Sequence, residues 1–290
     1  MNALDPRLTA ARPDLAAAHL RGRVVAERFV EGSAAVVAVG HAPLRAAPRD
    51  DAPLLTEALM GEPVTVYDRR DGWAWAQLDD DGYVGWMPET ALTLPGPAVT
   101  HRVVATLSFI FPTPSIKVPP RDTVPMGARV AVTDESRRLA ALAGGGFLPA
   151  THLAPHGSAE FDFVAVAERF VGAPYLWGGK TAAGIDCSGL VQVALAMTGV
   201  VASRDTDLQE AALGRPVADW TPATLRRGDL LFWPGHVAIV LGHGRMIHAN
   251  AHHMAVAIEP IAEAVARIAA VDSPVSSVRR LTRRPAAPAP

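Results

Sequence analysis

The sequence holds one cysteine, Cys187, in 290 residues. A single thiol excludes an intrachain disulfide framework, and the lack of a second argues against a thiolate-rich zinc site. An excess of charge of either sign is also missing. The 27 Lys and Arg against 29 Asp and Glu leave a net charge of −2, which provides no broad basic footprint for nucleic acid. No uninterrupted apolar run approaches the ~20 residues of a membrane span. The opening stretch, "MNALDPRLTAARPDLAAAHLRGRVVAERF", carries charges throughout and has no apolar core of a secretory signal. These absences predict a soluble cytoplasmic protein without a membrane or nucleic-acid partner, and the lone thiol suits a reducing compartment. What is present, 49% hydrophobic and 19% charged residues, is enough to build two or three domains.

Composition divides the chain. Residues 1–32 are rich in Arg and Ala, show helix-like spacing only around 14–20, and read as an N-terminal arm. Residues 33–155 carry short alternating runs such as "PVTVYD", "WAWAQL" and "YVGWMP", punctuated by the hairpin signals "RDG" and "DDDG". A divergent duplication shows in "MGEPVTV" against "MGARVAV" and in "GWMPETAL" against "GFLPATHL". It predicts two small all-β barrels, at 33–97 and 98–156. From 157 to 280 the pattern runs helix, helix, then strands. The tail 281–290, with "RRPAAPAP", is expected to be disordered.

The cysteine stands in "GIDCSGLVQVALAMTGV", where Leu190, Val191, Ala194, Leu195 and Met197 recur at three- and four-residue spacing. Asp186 is a good N-cap and Gly199 a good C′ stop. Cys187 thus falls in the first turn of an apolar helix, where orphan N–H groups and the dipole favour a thiolate. A base is available in "GDLLFWPGHVAIVLGHGRMIHAN". If 236–241 and 245–250 form an antiparallel hairpin about Gly242 or His243, cross-strand partners sum to an even number. His236 and His248 then share one face, directly opposite or one diagonal apart. The odd alternative would point them to opposite faces. A thiol, a base and a third group orienting that base is the logic of a cysteine peptidase. His252 and His253 read as solvated, and no metal or cofactor is expected.

The strings "GAPYLWGGKTAAGIDCSGLVQ", "LRRGDLLFW", "GHVAIVLG" and "MIHAN" resemble the NlpC/p60 cell-wall cysteine peptidases over residues 161–275. Gly61 to Val64, Trp73 and "GYVGWMP" resemble a bacterial SH3-like domain. The resemblance implies an α+β papain-like catalytic domain, a helix carrying the cysteine packed on an antiparallel sheet, preceded by two SH3-like barrels. It assigns Cys187 as nucleophile, His236 as general base and acid, His248 as the orienting residue, and Tyr175 as an aid to the oxyanion beside the Cys187 N–H. The architecture further resembles γ-D-glutamyl-L-diamino acid endopeptidases, which recycle murein peptides. By that likeness Asp186 and Ser188 hold the free amine of L-Ala, and Glu57 and Tyr83 of the first barrel close the site, with Glu62 an alternative to Glu57. The implied substrate is L-Ala-γ-D-Glu-diamino acid, with L-Lys or meso-diaminopimelate in the last position. Rival readings are an endopeptidase on intact peptidoglycan, a non-catalytic binder of wall fragments, and an amidase or acyltransferase on the same scaffold.

Overall fold

A computed structural model describes residues 4–281 of the chain. The predicted tail falls outside them except for Leu281. The described residues fold as two compact units, one of residues 4–159 with 177–184, the other of 160–176 with 185–281.

In the first unit, seven strands form an antiparallel sheet: β1 (Ser33–Val37), β2 (His41–Arg45), β3 (Leu54–Leu59), β4 (Pro63–Arg70), β5 (Trp73–Leu78), β6 (Val84–Pro88) and β7 (Leu92–Thr93). Their order is β3-β2-β6-β5-β4-β1-β7. The alternation read from the sequence places Val64, Val66, Ala74, Ala76 and Leu78 in its buried cluster. The order is open at β3 and β7, so the expected closed barrel is not formed among the described residues. The following segment, 98–156, is broken further, into sheets of three, two and three short strands. A proline-rich stretch, 112–120, interrupts its pairing.

The duplication does have a structural counterpart. Both halves run strand, single 3-10 turn, strand at "GWMPETAL" and "GFLPATHL". The turns Glu89–Ala91 and Ala150–His152 follow Pro88 (φ −58°, ψ 129°) and Pro149 (φ −53°, ψ 121°). Equivalent residues thus take nearly equivalent backbone angles.

The N-terminal stretch is not a loose arm. Its helix-like spacing near 14–20 resolves into a strand, Leu15–Ala17, and a 3-10 turn, Ala18–Leu20. Leu15, Ala17 and Leu20 are buried against Trp75, Val84 and Trp86. The Arg12 guanidinium lies over the rings of Trp75 and Trp86, 4.3 and 4.9 Å from their centroids. Burial under those indoles overrides the local spacing, which three apolar residues cannot sustain as an isolated helix.

Among the described residues, the second unit holds four α-helices, α1 (Phe163–Glu168), α2 (Cys187–Met197), α3 (Thr206–Ala212) and α4 (Ile261–Val271). Its main strands are β8 (Arg215–Pro216), β9 (Asp229–Trp233), β10 (His236–Gly242), β11 (Arg245–Asn250), β12 (Ala255–Pro260) and β13 (Ser277–Arg280). They form one antiparallel sheet in the order β8-β13-β9-β10-β11-β12. Helix α2 packs on β10 and β11. Alternate residues Leu231, Trp233, Ala238, Val240 and Met246 form a cluster with Ile261 and Ala264 of α4, so α4 covers the face to which those residues point.

Candidate active site

The helix that carries Cys187 begins and ends as its sequence dictates. Asp186 is extended (φ −99°, ψ −179°), and its Oδ1 accepts from the Gly189 N–H at 2.7 Å. At the other end Gly199 has φ +77°. Its N–H donates to Ala196 O, while Val200 N–H donates to Leu195 O, the paired bonds of a Schellman stop that glycine accommodates without strain.

The even hairpin forms. Ile239 pairs with Ile247 and Val240 with Met246, and a bulge before Gly242 leads into the turn. Gly242, His243 and Gly244 all have positive φ. His248 therefore lies one diagonal from His236 on the α4 face. His236 Nε2 and His248 Nδ1 are 2.8 Å apart. The thiol comes to the start of β10, where Cys187 Sγ is 3.9 Å from Gly235 O and 3.8 Å from Thr206 Oγ1. The Val237 N–H also points to the sulfur. Backbone atoms on both sides of His236 thus bracket the sulfur.

The segment "GAPYL" is pinned between β12 and the cysteine loop. Gly172 and Tyr175 N–H donate to Val256 O and Met254 O, and Ile185 N–H donates to Pro174 O. This holds half-buried Tyr175 near the thiol. Burial, with the negative ends of Cys187 and Asp186 nearby, pushes its phenol up to about 12, so it stays a hydrogen-bond donor.

Electrostatics correct one expectation. Burial, reinforced by Asp186, pushes the Cys187 thiol up to about 11. Burial, with His248 and Arg267 adding to it, brings His236 down to about 3. The resting pair is a neutral thiol and a neutral imidazole, because desolvation outweighs the stabilisation of a thiolate at a helix start.

Asp186, the expected N-cap, also has a second partner. Buried Arg204 grips it in a fork, Nη1 to Oδ1 at 2.9 Å and Nη2 to Oδ2 at 2.7 Å. Arg204 Nη1 also donates to Ser188 Oγ at 2.8 Å. The loop bearing Arg204 is tied down by Gln209 Nε2, which donates to Ser188 O and Ser203 O. Asp186 is thus the N-cap and an ion-pair partner together, with the charge-assisted geometry that a guanidinium favours.

Glu57 and Tyr83 lie in the first unit. Glu57 Oε2 accepts from the Lys180 backbone N–H at 2.7 Å. Glu62 is taken by the Lys180 ammonium at 3.0 Å. Tyr83 is buried within the cluster of Ala35, Val64, Leu78 and Met87.

Four residues that the sequence pattern did not single out stand around these side chains: Arg204 on Asp186, Thr206 by Cys187, Glu259 on His248, and Arg267 on Glu259. Glu259 Oε1 lies 2.6 Å from His248 Nε2 and accepts from Arg267 Nη2 at 2.5 Å. One signal for it was available. Glu259 pairs with Met246 and Ala257 with His248, so on a regular β11–β12 hairpin Glu259 falls one diagonal from His248. Arg204 leaves no comparable pattern. His248, His253 and Glu259 bring ligand-type atoms within 4.8 Å of one another, yet both ring nitrogens of His248 are already engaged, by His236 and by Glu259.

A helix-borne thiol beside a two-histidine relay on an antiparallel sheet defines a papain-like cysteine peptidase. Residues 172–271 match the NlpC/P60 family, and residues 44–92 match the bacterial dipeptidyl-peptidase SH3 domain. The chain therefore carries an NlpC/P60 cysteine peptidase domain behind a domain of that SH3 type. It is 27% identical over 240 residues to a gamma-D-glutamyl-L-lysine dipeptidyl-peptidase of Bacillus cereus, covering 72% of this chain and 71% of that protein. It is 41% identical over 102 residues to dipeptidyl-peptidase 6 of Lysinibacillus sphaericus, covering 34% of this chain but 36% of that protein. A crystal structure of an NlpC/P60 family protein from Bacillus cereus shares the fold, with a TM-score of 0.73, 23% identity, and coverage of 87% of this chain and all of that one.

Proposed function

We propose that this peptidase hydrolyses the bond between γ-D-Glu and the diamino acid in free murein peptides with an unblocked N-terminal L-Ala, a step of cell-wall peptide recycling. One observation carries the reading: a dipeptidyl-peptidase-type SH3 domain and an intact Cys187–His236–His248 set occur in one chain. The name of the Bacillus cereus relative, with gamma-D-glutamyl-L-lysine as its target, supports the same bond.

In the proposed reaction Cys187 Sγ attacks the γ-carbonyl carbon while its proton passes to His236. Tyr175 and the Cys187 N–H receive the developing oxyanion. His236 then gives the proton to the departing amine of the diamino acid as the C–N bond breaks, leaving a thioester. Water attacks the thioester and loses a proton to His236. That proton returns to sulfur as L-Ala-γ-D-Glu leaves with a free carboxylate.

Asp186 and Ser188 are the proposed readers of the amine within this unit. Arg204 alters what a capped amine would cost, because the cap would not strand Asp186 without a partner. Selectivity then rests on what the ammonium adds, one charge-assisted hydrogen bond and a fit that an acyl cap breaks. A charged hydrogen bond contributes about 1.5–3 kcal/mol, or roughly 10- to 100-fold in kcat/KM. The test is a pair of rates on L-Ala-γ-D-Glu-diamino acid and its N-acetyl derivative. Comparable rates would overturn the reading and favour an endopeptidase on intact peptidoglycan. The same ratio measured for Glu57→Ala reports whether the first unit takes part.

A further inference from the structure

We propose that Glu259, held by Arg267, is a positioning residue that sets the tautomers of both histidines and makes Nδ1 of His236 the atom that takes the thiol proton. This role rests on the reading of His236 as base, and each link turns on which nitrogen carries hydrogen. Two groups converge on one oxygen: Glu259 Oε1 lies 2.6 Å from His248 Nε2 and 2.5 Å from Arg267 Nη2. A carboxylate oxygen in that position only accepts, so His248 Nε2 carries a hydrogen.

Burial holds His248 below the ordinary imidazole range, against the pull of Glu259, so its other nitrogen, Nδ1, is bare. The 2.8 Å contact from His248 Nδ1 to His236 Nε2 then requires the hydrogen to sit on His236 Nε2. A neutral His236 protonated at Nε2 has an empty Nδ1, which can accept. Reversing the first link reverses the whole chain and leaves His236 with Nδ1–H, which cannot act as the base.

The other charged or titratable groups around the relay fit this direction. The hydrogen bond with His248, and after it that with Arg267 on α4, keeps Glu259 ionised, and the carboxyl is held down at about 2. His253 stands near His248 and Glu259, with its Nδ1 3.0 Å from Asn250 Oδ1. Arg267, and after it His253, push His248 further toward the neutral form. His248 itself is 1% exposed, so water cannot substitute for Glu259 as the acceptor.

The experiment uses the full chain labelled with 15N-histidine, read by long-range proton–nitrogen spectra and paired with steady-state kinetics on a γ-D-Glu-diamino acid substrate. In the wild type, His236 and His248 are both expected to show a protonated Nε2 and a bare Nδ1. In Glu259→Gln the amide can donate to His248 Nε2. A mixture of tautomers should appear, and kcat should fall at least ~10-fold with KM within about threefold, toward the ~10⁴ seen where an orienting carboxylate is made an amide. Wild-type spectra with hydrogen on Nδ1 of His236 would overturn the proposal, even if the variant does not fold. So would a variant that loses activity with unchanged tautomers, since that pattern is loss of packing. Retained activity with unchanged tautomers would overturn it equally.

Discussion

Alkylation of Cys187 by iodoacetamide measures the competition between burial and helix-end stabilisation directly, because the chain has no other thiol. With the thiol pushed up to about 11 by burial, its thiolate fraction at pH 7 is ~10⁻⁴, against ~3% for free cysteine. The deficit is thus ~300-fold in reactive species. A more basic thiolate is a better nucleophile, and a Brønsted coefficient of ~0.4–0.5 over ~2.5 units returns about a factor of ten. The native protein should therefore alkylate roughly 30-fold more slowly than free cysteine at pH 7. The rate should climb about tenfold per pH unit, with no plateau below about pH 10. Intact mass against time at several pH values provides the rates, and urea-unfolded protein is the control that should react like free cysteine. Fast, pH-independent alkylation between pH 6 and 8 would show a resting thiolate–imidazolium pair and refute the reasoning.

Cys187→Ala should abolish hydrolysis while leaving the urea midpoint nearly unchanged, and residual activity above about one per cent would remove the thiol from the mechanism. His236→Ala should lower kcat more than His248→Ala, because the first removes proton transfer and the second only its orientation; equal or reversed losses would exchange the roles. Acid should destabilise the fold through His236. Its pKa is about 3 when folded and 6.5 ordinarily, so the unfolded chain binds more protons in that window and stability falls as pH drops through it. His236→Gln should flatten the urea midpoint between pH 4 and 6.5, and an unchanged slope would assign the acid sensitivity elsewhere. Glu259, held down at about 2, adds loss of the same sign below about pH 4.5.

The sequence by itself determined the parts that depend on neighbours along the chain. Asp186 and Gly199 bound α2 because a cap and a left-handed stop are local hydrogen-bond devices. The "GHG" turn put His236 and His248 on one face because strand parity is set by the turn between them. The paired 3-10 turns after Pro88 and Pro149 follow from repeated local chemistry. Only the tertiary structure decided what lies across the fold. Trp75 and Trp86 draw the N-terminal stretch into a buried cluster, where contact with the sheet outweighs spacing. Arg204, seventeen residues beyond the nucleophile, closes on Asp186, and Glu259 reaches His248 from the next strand. The protonation of the thiol and its base follows from how completely they are buried. Desolvation depends on everything packed around a group, which no local pattern of residues encodes.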